Sequence, residues 1–110
     1  MNPTIRRLLE EIFSLCLQLK QHPDLHVFFE CYGHIGECSV RINSADTNYQ
    51  DADTLDRTRL FSATAYYSME RVGYDWMTPD ERHARCLAQL TELLANLRHF
   101  ADTSAQEARA

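Results

Sequence analysis

A chain of 110 residues that is 45% hydrophobic can bury one core but not two, so one domain over 1–101 is expected. Its net charge of −5, with 11 scattered basic residues, argues against a general nucleic-acid or anionic-membrane binder. No apolar run approaches the roughly 20 residues that cross a bilayer, and Glu10 and Glu11 break the stretch after Arg6–Arg7 that would otherwise resemble an export signal.

Asn2 followed by Pro3 reads as an N-cap and a first helical position. Ile5, Leu8, Leu9, Ile12, Leu15, Cys16 and Leu19 follow at helical spacing, and Pro23 should stop the helix near Gln21. Phe13 and Leu17 widen the apolar arc beyond what one sheet face covers, which marks them as candidates for a second contact.

Leu25–Asn43 reads as an antiparallel hairpin turning at His34–Ile35 between two glycines. Tyr32 then faces Glu37, Cys31 faces Cys38 and Phe29 faces Val40. Side chains alternate across a strand, so Leu25, Val27, Phe29, Cys31, Cys38, Val40 and Ile42 share one apolar face. His26, Phe28, Glu30, Tyr32, Glu37, Ser39, Arg41 and Asn43 share the other. A slip of one residue would mix the two sets, so the pattern specifies its own register.

Asn43–Asp56 carries Asp46, Asp51, Asp53 and Asp56 and no cation, and reads as a solvated loop. Counted from Asp46, the sixth and twelfth positions of a calcium loop would be Asp51 and Arg57, where Gly and Glu are required. Arg59–Met69 can be read as a helix capped by Asp53 or Thr54, but its pattern suits a third strand better, with Phe61, Ala63, Ala65, Tyr67 and Met69 on one face and Leu60, Ser62, Thr64, Tyr66 and Ser68 on the other. Trp76 is expected to plug the core edge. Thr78-Pro79-Asp80-Glu81 is a capping box opening a Leu-rich helix to about His99, with 102–110 expected to be a disordered tail. Together these elements give an α+β fold: a two-layer α-β-β-β-α sandwich, its three-stranded antiparallel sheet covered by two helices on one face.

Cys31, His34 and Cys38 surround one turn, but cysteines spaced by two to four residues are absent, and His34 at the turn tip need not point with the two core-facing thiols. Buried free thiols in a reduced, cytoplasmic protein are the expectation, with no metal or cofactor. A Cys31–Cys38 disulfide suits facing residues but not that compartment. No histidine neighbours a nucleophile turn, and three glycines cannot cradle a phosphate, so no enzyme is expected. Glu30 and Arg41 are diagonal on the polar sheet face and suit a surface ion pair. Aromatic residues among polar groups there, Phe28, Tyr32 and Tyr66 together with Glu30 and Arg41, are candidates for protein contact, with Phe13 and Leu17 as the competing surface.

The helix, the aromatic hairpin HVFFECYGHIGECSVRI and the Leu-rich C-terminal helix resemble small uncharacterised accessory proteins of tailed phages and prophages. That resemblance implies an intracellular protein working by contact with a host or phage factor. The expected function is therefore non-enzymatic contact, with a protein partner or another copy. The alternatives are a zinc protein using Cys31, His34 and Cys38, and an acidic nucleic-acid mimic built on the aspartate loop.

The register makes a sharp prediction about two adjacent residues. Val40→Asp should unfold the protein, because a carboxylate on the sealed face has no partner; Arg41→Asp should not. Equal melting temperatures for the two variants would contradict the register.

Overall fold

The computed structural model describes residues 1–45, 50–51, 58–70 and 74–109, with side chains to Thr103. Helix α1 spans Pro3–Lys20, strands β1, β2 and β3 span Leu25–Tyr32, Glu37–Ser44 and Arg59–Tyr66, and helix α2 spans Pro79–Arg109. The sheet is antiparallel in the order β1-β2-β3, and the fold is the expected α+β sandwich.

The hairpin register is the expected one: Val27 faces Ile42, Phe29 faces Val40, Cys31 faces Cys38 and Tyr32 faces Glu37. Cys38, Val40 and Ile42 of the central strand are each 0% exposed. Ala65 of β3 and Val27 of β1 join them in one buried cluster with Ile5, Ile12, Cys16 and Leu19 of α1 and Leu90, Leu93, Leu94 and Leu97 of α2. Helix α1 packs on β1, α2 packs on β3, and the helices pack on each other. All of these sheet residues lie on one side, so both helices cover the same face.

Each helix start is chemically specified. Asn2 Oδ1 accepts from the backbone N–H groups of Thr4 (2.8 Å) and Ile5 (3.3 Å). Thr78 Oγ1 accepts from Glu81 N–H (3.1 Å) and donates to Glu81 Oε1 (3.0 Å). Such caps are worth about 1 kcal/mol each. Across the helix pair, Arg98 Nη2 donates to Glu11 Oε2 at 3.1 Å, an exposed pair that contributes little.

Several expectations need correction. The third strand stops at Tyr66 rather than Met69, because the N–H groups of Tyr67 (2.8 Å) and Ser68 (3.2 Å) donate to Gly36 O at the hairpin turn. Met69 is still buried, in the segment beyond the strand. Asn43, expected to begin a loop, remains in β2 and is 1% exposed. A bulge lies beside it: Ile42 pairs with Phe61 and Asn43 with Arg59, which skips Leu60. Helix α2 does not end near His99. Phe100 and Ala101 pack against the core, no Gly or Pro interrupts the residues after them, and the helix continues through the expected tail to Arg109. Trp76 does not plug the core: it is 67% exposed, and Met77 is buried in its place. Asp46, Asp53 and Asp56 of the acidic stretch, and Val72 and Gly73, lie outside the described residues.

Gly36 is where the hairpin meets the end of β3. Its φ is +64°, and a Cβ there would collide with the Ser68 carbonyl oxygen and lie 2.9 Å from Ser68 Cβ. The left-handed backbone alone costs an L-residue about 1–2 kcal/mol. At Gly33 an added Cβ would meet only Tyr67 Oη, at an ordinary 3.9 Å. Gly36→Ala should therefore lower the melting temperature by roughly 5–10 °C, with Gly33→Ala shifting it much less. Equal shifts in thermal denaturation would contradict the close approach of the turn to Ser68.

Candidate functional site

The outward sheet face gathers most of the expected contact residues, but it is less free than expected. Arg41 lies over the Phe28 ring, its guanidinium carbon 4.7 Å from the ring centroid. A cation over an aromatic ring contributes about 0.5–1 kcal/mol where exposed, and Phe28 is half-buried. Among the described residues, Arg41 Nε and Asn43 Oδ1 are buried without a hydrogen-bond partner. The Tyr32 hydroxyl donates to Glu30 Oε2 two residues away, and that bond raises the Tyr32 phenol above its usual range. Glu30 thus engages Tyr32, where an ion pair with Arg41 was expected. Tyr66 is half-buried and touches the core cluster, its N–H donating to Gln89 Oε1 of α2 at 2.9 Å. Ser62 and Thr64 are exposed at outward positions of β3, and Leu60 at the bulge is 49% exposed.

The competing surface has the opposite character. Phe13 and Leu17, one helical turn apart on α1, stay 47% and 48% exposed. Phe13 does not stand alone: its ring centroid is 5.5 Å from that of Phe29, on the helix-covered face of β1. The strip therefore runs from the flank of α1 onto the rim of the sheet.

That rim is a strand edge. Ala45 N–H donates to Asp24 O (3.0 Å), which with the register makes His26, Phe28, Glu30 and Tyr32 the residues whose backbone groups point at β2. Val27, Phe29 and Cys31 point theirs away from β2, and among the described residues no other strand pairs with them.

The turn end of the sheet collects thiols. Cys31 is exposed at the strand end; Cys38 and Cys16 are buried. Burial pushes the Cys16 thiol up to about 11, opposed by Lys20, and pushes Cys38 up to about 12, with Cys31 and Glu37 adding. Partial desolvation raises Cys31 as well. His34 occupies the exposed turn. Among the described residues no three His, Cys, Asp or Glu side chains, Cys31, His34 and Cys38 included, converge as metal ligands would.

Two features were not legible in the sequence. Tyr74 and Trp76 stack with centroids 5.6 Å apart and planes 9° from parallel, both exposed. Beneath them Arg82 of α2 donates to Met77 O (3.3 Å), to Tyr74 O (2.8 Å) and to Met69 O, fastening the segment before the helix. Nothing in the spacing of these residues announces three backbone carbonyls converging on one guanidinium. Arg82 also lines a half-open, largely apolar cavity of about 550 Å³ between the helix N-termini, with Ile5, Met69, His83 and Cys86. Its guanidinium donates to three carbonyls, and among the described residues no hydrogen bond pairs a nucleophile with a base there.

No family model, curated protein or solved structure matches the chain.

Proposed function

We propose that this is a small non-enzymatic cytoplasmic protein that acts by protein–protein contact, through the strip where α1 overhangs the β1 edge. The observation that carries the reading is the half exposure of Phe13 and Leu17 on an otherwise core-facing helix. Aromatic and aliphatic anchors of this kind supply most of the energy of a protein interface once they are buried. Support also comes from the outward backbone groups of Val27, Phe29 and Cys31, which give a partner hydrogen-bonding positions beside the apolar strip. The case for Phe28, Tyr32 and Tyr66 weakens, because Phe28 lies under Arg41 and Tyr66 is tied to α2. The low and scattered basic content favours a protein partner, or a second copy, over nucleic acid or an anionic membrane.

The test compares two double variants as bait from the native cell and in sedimentation for self-association. Phe13→Ser with Leu17→Ser should keep the fold, at a cost of about 1 kcal/mol for the lost ring contact. It should weaken the association seen with the unaltered chain at least tenfold, since each anchor contributes on the order of 2 kcal/mol. Ser62→Arg with Thr64→Arg, on the outward sheet face, should leave that association unchanged. Loss of binding in the sheet variant with retention in the helix variant would contradict the proposal.

A further inference from the structure

Cys31 and Cys38 are placed in a cross-strand relation that suits a bond between them. Gly36 O accepts from Tyr67 N–H, so in the β2–β3 ladder Cys38 exchanges its backbone hydrogen bonds with Ala65. In the β1–β2 ladder the Asp24–Ala45 bond makes Tyr32–Glu37 and Glu30–Ser39 the hydrogen-bonded pairs. Cys31 and Cys38 lie between them as a non-hydrogen-bonded pair, so their Cα atoms stand about 4.5 Å apart with both side chains on one face. Disulfides span Cα separations of about 4.4–6.8 Å. The two thiols also differ in access: Cys31 is exposed at the strand end and Cys38 is sealed.

We propose that this pair is a thiol-oxidation site, in which a small-molecule disulfide first modifies Cys31 and Cys38 then closes a Cys31–Cys38 bridge across the hairpin. In the first step the Cys31 thiolate attacks one sulfur of the small disulfide. A protein–small-molecule mixed disulfide forms and one small thiolate leaves, taking up the proton Cys31 has lost. In the second, the Cys38 thiolate attacks the Cys31 sulfur, the mixed disulfide breaks, and the second small thiolate leaves with the second proton. Two protein thiols are oxidised and one small disulfide is reduced to two thiols. The titratable groups acting on the Cys38 sulfur are Cys31, Cys16 and Glu37, and the Tyr67 phenol lies near both thiols of the pair. Neither Cys16 on α1 nor Cys86 on α2 is a cross-strand partner of Cys31. A bridge formed only under oxidising challenge is compatible with a cytoplasmic protein, where disulfides are mostly transient.

Oxidised glutathione is the probe, and intact mass with peptide mapping is the readout. The full chain should lose two hydrogen atoms, two of its four thiols should become unreactive to alkylation, and the mapped linkage should be Cys31–Cys38, reversed by dithiothreitol. Cys38→Ala should stop at a single glutathione adduct on Cys31. Cys31→Ser, a change at an exposed position that leaves the core intact, should give neither adduct nor bridge at this site. Cys16→Ala should still form the bridge. A Cys16–Cys38 linkage, a disulfide-linked dimer through Cys31, or a lasting glutathione adduct on the unaltered chain would each overturn the proposal.

Discussion

The completely sealed side of the central strand is the constraint on which the other elements depend. Cys38, Val40 and Ile42 have no exposure at all, and they can be sealed only if both helices lie over them. Because successive side chains alternate, sealing that side fixes which residues of β1 and β3 join it, and so fixes the register of all three strands. The helices then have one arrangement left: α1 over β1, α2 over β3, each packed on the other. Gly36 closes the arrangement at one end, since its carbonyl takes the first two N–H groups beyond β3 and so ends that strand.

A two-layer fold of this size leaves its apolar surplus at the borders. Phe13 and Leu17 sit where α1 passes the rim of the sheet, and the sheet ends there in an unpaired strand edge among the described residues. The outward face behaves otherwise: Arg41 lies over the Phe28 ring and Glu30 accepts from the Tyr32 hydroxyl, so two of its aromatics are engaged by its own charged side chains. The contrast between the two surfaces is the reason to place contact at the rim. Tyr74 and Trp76 form a second exposed aromatic pair, held by the Arg82 bonds to the backbone beneath it.

Wherever a period or a cap decided the outcome, the sequence was enough. The hairpin register could be read from alternation in LHVFFECYGHIGECSVRIN, and the helix starts from Asn2-Pro3 and Thr78-Pro79 with Glu81. Tertiary contact was not legible. Trp76 turned outward because Met77 took its place in the core. The third strand ended early because a carbonyl distant in sequence captured its next N–H groups. Helix α2 outran His99 because Phe100 meets Phe61, 39 positions earlier in the chain, with ring centroids 5.8 Å apart. Of the candidate contact residues, composition could nominate Phe13, Leu17, Phe28, Tyr32 and Tyr66 together. Only the packing of Phe13 on Phe29 and of Arg41 on Phe28 separates them.

Fold, free edge and thiol pairing all rest on which cross-strand pairs are hydrogen-bonded, and nuclear Overhauser contacts between α-protons report that directly. In antiparallel sheets the α-protons of non-hydrogen-bonded pairs approach closely, because their Cα atoms are about 1 Å nearer than in hydrogen-bonded pairs. Strong cross-peaks are predicted for Val27–Ile42, Phe29–Val40 and Cys31–Cys38 in one ladder and for Ser39–Thr64 and Arg41–Ser62 in the other. Strong peaks instead for Phe28–Arg41 and Glu30–Ser39, or for pairs displaced by one residue, would contradict the account.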